Sequence, residues 1–298
     1  MRWRGYRIAK SLEDALELLT RKPGGAQVVA GGTDLLVQLK DLAAVEQAVR
    51  LVDISRLDEL KGIKVHEDGL LIGAGTTMTE IESSQLVCRQ APALAQGAAW
   101  IGSPQIRNVA TIGGNVVNAL PAADTAVPLV ALGAWAKISS PEGERVVPVE
   151  DLFEDVGVSR VDPCREILTD FIIPACGDGR TFSALQRLAK RKVFTLPQLL
   201  AAVRLDLDRG GEKIEAARIV VAPVAPIPWR ARQAEKSLTG RRVDPEILER
   251  VAELARLGAA TRSSIRAGAT YRKEMVQVLV RRALDQAIAL SGREGAGR

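Results

Sequence analysis

The sequence predicts a mixed α+β protein, and three observations lead there. Residues 1–55 alternate strand-like and helix-like apolar runs in a β-α-β-α-β pattern. The stretch that follows changes to hairpin and turn signals between short helices. From Ala231 onward the chain reads as mostly helical. With 298 residues, it is long enough for two domains of ordinary size.

Each element has its own signal. Ser11 is placed to cap a helix, and Glu13 and Asp14 suit the positive end of its dipole. Leu12, Ala15, Leu16 and Leu19 share one face of that helix, and Pro23-Gly24-Gly25 ends it. Gln27–Ala30 reads as a buried strand, Gly31–Asp34 as a tight turn, Leu35–Leu39 as a helix start and Val49–Ile54 as a strand. Ile63–His66 and Leu70–Gly73 form a hairpin across Asp68-Gly69. Thr79–Gln85 and Pro92–Ala99 read as helices, and a strand-and-turn region is expected through Asn108–Asn115. Pro128–Leu132 is compact and apolar, Ala134–Ser139 strand-like, and Val147–Phe153 a further short element. Ile167–Ile173 is a strong strand closed by Pro174. A linker is expected at 175–179. Beyond it lie two strands, Gln198–Leu207 and Ala217–Val221, joined through Asp208–Gly211. Ala222–Pro228 is Pro-rich and extended.

Composition narrows the function classes. The apolar fraction of 47% and charged fraction of 26% are those of a soluble globular chain. No apolar run reaches the roughly 20 residues that span a bilayer, and the basic start lacks the apolar core of a signal peptide. The expected location is cytoplasmic. A net charge of +5 raises nucleic acid as a partner, but an aromatic content of 3% leaves few stacking platforms, so no nucleic acid is expected. Arg241-Arg242 and Arg281-Arg282 read as solvated helix faces or as a docking surface for an acidic partner. Cys88, Cys164 and Cys176 are widely spaced and form no C-x-x-C pair. With a single histidine, His66, they argue against an iron–sulfur cluster, a zinc site or a disulfide framework on this chain.

Two glycine-rich loops stand out: Val28-Val29-Ala30-Gly31-Gly32-Thr33-Asp34-Leu35 and Thr111-Ile112-Gly113-Gly114-Asn115. Paired glycines let a backbone approach a bulky anion, and successive N–H groups in such turns make an anion-binding concavity. Each pair is equally readable as a simple turn. There is no P-loop pattern, and Gly73-Ala74-Gly75-Thr76-Thr77-Met78 opens like a dinucleotide fingerprint but ends in Met and is discounted.

Taken with Ser103-Pro104-Gln105-Ile106-Arg107-Asn108 and Pro121-Ala122-Ala123-Asp124, these loops resemble the FAD-binding subunits of the molybdenum hydroxylases, the family of carbon monoxide dehydrogenase medium subunits and xanthine dehydrogenase flavin subunits. The resemblance continues through Gly143-Glu144-Arg145, Glu166-Ile167-Leu168, Ile173-Pro174, Arg191-Lys192, Ala222–Ala231 and Tyr271-Arg272, nearly the whole chain in order.

The resemblance implies a vanillyl-alcohol-oxidase-type FAD-binding domain over residues 1–176. Its subdomains would cover about 1–55 and 56–176, and a smaller C-terminal α+β domain 177–298. It implies that Val28, Val29, Ala30, Gly31, Gly32, Thr33, Asp34 and Leu35, with Thr111, Ile112, Gly113, Gly114 and Asn115, hold the FAD pyrophosphate and its neighbours. Asp124 would meet a hydroxyl. Ile101 and Leu168 would lie beside the cofactor or pack the core. Arg187 is the candidate basic residue near the flavin, with Gln186 and Lys190 as alternatives. Phe194 is a candidate for packing on the ring. Pro197 departs from the family pattern. With His66 beside a hairpin turn, the FAD is expected to be noncovalent.

The expected role is electron transfer. The molybdenum cofactor would sit on a separate large subunit and 2Fe–2S clusters on a separate small subunit, in a heterohexamer with two copies of each subunit. FAD would pass electrons to NAD, a quinone, a cytochrome or oxygen. The competing readings are a self-sufficient NADH-dependent flavin reductase and a nonenzymatic nucleotide-binding scaffold.

Overall fold

The computed structural model describes residues 3–21, 24–40, 49–174, 180–191, 194–264 and 267–294. The expected linker at 175–179, with Cys176, lies outside the described residues. Three bodies follow one another along the chain, each an α+β unit.

The first is a parallel sheet in the order β1-β3-β2, formed by β1 (Trp3–Ile8), β2 (Ala26–Val29) and β3 (Val49–Asp53). Helix α1 (Leu12–Thr20) makes the first crossover. Its cap is as expected: the Ser11 hydroxyl accepts from the Asp14 N–H at 3.1 Å. Ala15, Leu18 and Leu19 are buried against the sheet, with Leu12 and Leu16 packed beside them. The short helix α2 (Leu35–Gln38) follows β2.

The second body is an antiparallel sheet in the order β4-β5-β10-β6-β7. Its strands are β4 (Ile63–His66), β5 (Gly69–Gly73), β6 (Trp135–Ser140), β7 (Gly143–Pro148) and β10 (Ile167–Pro174). Helices α3 (Met78–Ser83), α4 (Gln85–Gln90), α5 (Pro92–Ala99), α6 (Pro104–Arg107), α7 (Ile112–Val117) and α8 (Ala126–Leu132) are inserted between β5 and β6. A small hairpin of β8 (Phe153–Asp155) and β9 (Val158–Ser159) precedes β10. Thr77 and Glu80 form a reciprocal capping box on α3, while Ser84 ends it and caps α4.

One expectation fails here. Residues 108–115 are not strand and turn: the segment lies between two short helices and enters the second. Ser103 caps α6 and Thr111 caps α7, so Gly113 and Gly114 sit inside a first helical turn. Glycine is a poor helix former, which hid this helix. The apolar run at Pro128 is likewise helical. Proline is tolerated there because it falls in the first turn of α8, where its missing N–H has no partner to lose.

The third body is an antiparallel sheet in the order β11-β12-β13-β14: β11 (Thr181–Leu188), β12 (Leu199–Leu207), β13 (Ile214–Ala222) and β14 (Trp229–Arg230). Helices α9 (Arg232–Leu238), α10 (Pro245–Gly258) and α11 (Ala269–Glu294) cover one face. The strand β11 had no sequence signal of its own, because polar Thr181, Ser183, Gln186 and Arg187 interrupt its apolar residues.

Period-two alternation divides this sheet between two cores. Leu199, Ala201, Val203, Ile219 and Val221 face the helices. Leu185, Leu200, Ala202, Val220 and Ala222 instead join the core of the second body, against α5 and α8. Polar contacts reinforce that seam. Arg204 Nη1 donates to the Leu132 carbonyl at the C-terminal end of α8 (2.7 Å), where a cation suits the helix dipole. Arg230 bridges Glu150, just before β8, to Glu235 of α9. The paired arginines are partly accounted for locally: Arg281 meets Glu249 and Asp285, and Arg242 meets Glu212.

Candidate cofactor site

A cleft of about 940 Å³ opens where the three bodies meet. Val28 to Leu35 line it from the first body, and Ile101, Thr111, Gly113, Gly114, Asn115, Asp124 and Leu168 from the second. Of the sequence candidates, Ile112 and Arg187 are not among the lining residues. The Ile112 side chain is fully buried in the core. Arg187 stands behind Asp124.

The glycines are needed for reasons the sequence did not reveal. A Cβ on Gly31 would lie 2.0 Å from the Val109 carbonyl oxygen, so this glycine exists to let the two loops touch backbone to backbone. Gly32 has φ +66°, the left-handed region that glycine adopts without strain. A Cβ on Gly113 would meet Ala74 at 2.8 Å. Only Gly114 faces open space, apart from its own cap hydroxyl at 3.1 Å.

The two loops also differ in their donors. In the second loop the N–H groups of Ile112, Gly113 and Gly114 donate to Thr76 O, Ala74 O and Thr111 Oγ1. In the first, the N–H groups of Gly31, Gly32, Thr33 and Asp34 have no acceptor among the described residues. Consecutive unmet donors at the end of a strand are a place for an anion. The turn Gly73–Met78, discounted from the sequence, helps build the wall: Ala74 and Gly75 line the cleft.

Leu168 and Ile101 are held by charge pairs beneath them. Arg145 forks onto Glu166 with two 3.0 Å bonds, which anchors the start of β10. The ladder register then shifts between Leu168 and Asp170. Arg107 Nη1 donates to the Ile101 carbonyl at 3.2 Å while its Nε meets Glu82. Arg107 and Arg145 thus act by positioning backbone, while Ile106 and Glu166 from the same motifs line the cleft.

Asp124 is the acidic group of the wall. Its carboxylate is 9% exposed, and Oδ1 has no hydrogen-bond partner. Burial pushes its pKa up to about 7, with the Arg187 guanidinium pulling it back down. Asn115 beside it is oriented by the Thr125 hydroxyl, which donates to its Oδ1 at 2.5 Å. The far end of the cleft is lined by Phe194, Thr195, Leu196 and Pro197 from the third body. The sequence also gave no hint of Trp100, or of Gln38 and Asn118, which join across the cleft edge at 3.2 Å. Neither His66, Cys88 nor Cys164 lines the cleft.

These residues fit a flavin dinucleotide. A row of N–H donors without acceptors among the described residues suits a pyrophosphate, a buried carboxylate oxygen that accepts no hydrogen bond suits a sugar or ribityl hydroxyl, and Ile101, Leu168 and Trp100 offer apolar surface to a planar ring. Fold and site together define a flavin-nucleotide-binding protein with two subdomains and a third, C-terminal body.

A family model described as "FAD binding domain in molybdopterin dehydrogenase" matches residues 2–176, and one described as "CO dehydrogenase flavoprotein C-terminal domain" matches 184–287. The chain is 34% identical over 288 residues to a xanthine dehydrogenase FAD-binding subunit from Escherichia coli, covering 96% of this chain and 97% of the relative. It is 34% identical over 284 residues to a carbon monoxide dehydrogenase medium chain from Afipia carboxidovorans, covering 95% and 96%. Among solved structures, carbon monoxide dehydrogenase from Hydrogenophaga pseudoflava superposes with a TM-score of 0.89 at 30% identity, covering 97% and 98%. The chain belongs to the family of FAD-binding subunits of molybdenum-containing dehydrogenases, which are oxidoreductases.

Proposed function

We propose that this chain holds FAD noncovalently in the cleft and works as the electron-transfer subunit of a molybdenum hydroxylase. In this reading it takes electrons from an iron–sulfur small subunit and delivers them to an external acceptor. The molybdenum cofactor belongs to a molybdopterin large subunit, and the assembly holds two copies of each subunit. The domain division at 176/177 and a cytoplasmic location belong to the same proposal.

The observation that carries it is the pairing, in one cleft, of the N–H row at Gly31–Asp34, without acceptors among the described residues, with an Asp124 Oδ1 that accepts no hydrogen bond among them. FAD, when bound, supplies the redox chemistry, taking up two electrons and giving them up again. The protein's part is binding and orientation. Gly31 to Asp34 donate to the pyrophosphate, with Val28 to Ala30 and Leu35 shaping the wall. Thr111 to Asn115 close the opposite side, Ile112 by packing beneath it. Asp124 accepts from a hydroxyl. Ile101 and Leu168 exclude water from the ring. Noncovalent binding is supported by the position of His66, at the β4–β5 turn with Asp68 against its Nδ1.

The test is to purify the full chain, record its visible absorption, precipitate it with acid and identify what is released. FAD in the supernatant is expected. Flavin retained by the pellet would overturn the noncovalent link, and a colourless chain that fails to take up added FAD would overturn the cofactor. Rapid bleaching of the isolated chain's flavin by NADH would favour a self-sufficient reductase.

A further inference from the structure

We propose that Arg187 is a positioning residue for flavin binding: from behind the wall, one guanidinium sets both the Asp124 carboxylate and the 194–197 loop. The proposal rests on the reading that FAD occupies this cleft against Asp124.

The geometry assigns a different task to each part of the group. Arg187 belongs to β11, in the third body, and its side chain is 5% exposed. Its Nε lies 3.4 Å from Asp124 Oδ1, within ion-pair range but not aligned as a hydrogen bond. Its Nη2 donates to the Thr195 carbonyl. Its Cζ lies over the Trp100 ring, 5.5 Å from the centroid. Asp124, Trp100 and Thr195 all line the cleft, whereas Arg187 does not. One buried cation therefore touches three walls supplied by three separate segments of chain.

Asp124 cannot adjust by moving its backbone. Its carbonyl oxygen sits where a Cβ on Gly97 would be 2.3 Å away, so the chain is packed hard against α5. The direction of the carboxylate is then set by what stands behind it, and Arg187, the charged side chain within ion-pair range, draws down the pKa that burial raises. The loop at the other end of the guanidinium is equally constrained. Phe194 is held at φ +53°, a conformation that a bulky residue rarely adopts, and its carbonyl accepts from Arg191 Nη2 at 2.6 Å. Arginine suits this task because its planar fork can address a carboxylate, a carbonyl and an aromatic face at once, which a lysine cannot.

The test is a double-mutant cycle on the full chain, stripped of FAD and titrated with FAD by flavin fluorescence. The variants are R187M, R187K, D124N and the two doubles R187M/D124N and R187K/D124N. R187M and D124N are each expected to weaken FAD binding by about tenfold or more, the scale of one hydrogen bond to a charged group. The double variant R187M/D124N is expected to lose less than the sum of the two single losses, because part of the Arg187 effect acts through the Asp124 carboxylate. R187K, which keeps the charge but loses the fork, is expected to recover part of the affinity in the Asp124 background and less beside D124N. Should R187M fail to fold, the cycle with R187K decides. Full additivity of the two losses, or wild-type affinity in R187M, overturns the proposal while leaving FAD against Asp124. Wild-type affinity in D124N overturns that underlying placement, and the proposal falls with it.

Discussion

At the scale of single residues, the site mixes groups that serve the fold with groups that serve the ligand, and substitutions should separate them. Gly31 is required by the protein, since a Cβ there would overlap the Val109 carbonyl. Gly31→Ala is expected to cost about 1–3 kcal/mol or more in urea unfolding, and to weaken FAD binding with it. Gly114 is exposed and lies in a helix, where alanine gains up to about 1 kcal/mol of propensity against some disturbance of the Thr111 cap. Gly114→Ala should therefore leave stability nearly unchanged while lowering FAD affinity. A variant that keeps both would remove this glycine from the site.

Asp124 carries a pH signature. Its folded-state pKa is raised from 3.8 to about 7, so the folded form holds a proton that the unfolded chain has released. This contribution to stability is fully present below about pH 4 and is lost as the pH rises through about 7, a span worth roughly 4 kcal/mol at most. Thermal unfolding of the FAD-free chain should thus show stability falling across that window. The slope should vanish in D124N, and its persistence there would assign it to another group. Loss of apo stability at neutral pH is the cost of keeping a buried carboxylate acceptor ready for a ligand.

At the scale of elements, short helices and charge pairs fix where the cleft walls stand. The Arg145–Glu166 fork seats β10, and Arg107 holds the carbonyl of Ile101. The Arg230 network does the same for the seam between the second and third bodies. Its guanidinium is 13% exposed, and Glu235 beneath it 8%. Replacing Arg230 with Met leaves Glu235 buried without its cation, and a loss of about 3–5 kcal/mol is expected in urea unfolding. A loss below about 1 kcal/mol would mean that solvent reaches the pair.

At the scale of the whole molecule, β12 is buried on both faces, so the third body is not an independent attachment. Leu200→Ala is expected to cost about 2–5 kcal/mol. Because its cavity opens in the core shared with α5 and α8, the chain should unfold in one cooperative transition with a lower midpoint. Two separated transitions would show that the seam is weaker than its apolar area implies. The same seam carries function, since the walls at Asp124 and Thr195 belong to different bodies joined by Arg187.

Much of this was legible along the chain. The Ser11 cap, the β4–β5 hairpin, whose turn falls one residue earlier at Glu67-Asp68, the strand at Ile167–Ile173 and the first glycine loop are local features, set by backbone preference within a few residues. The motifs sufficed for the family and for FAD. The helix at Gly113 and the strand at Arg187 were not legible, because tertiary packing overrode weak local propensity there. Nor was the meaning of individual site residues. Whether a glycine makes room for a ligand or for the Val109 carbonyl, and whether an arginine faces the cleft or braces the carboxylate that does, depends on which distant segment arrives beside it. Only the fold decides that, because contacts between remote segments leave no period in the sequence.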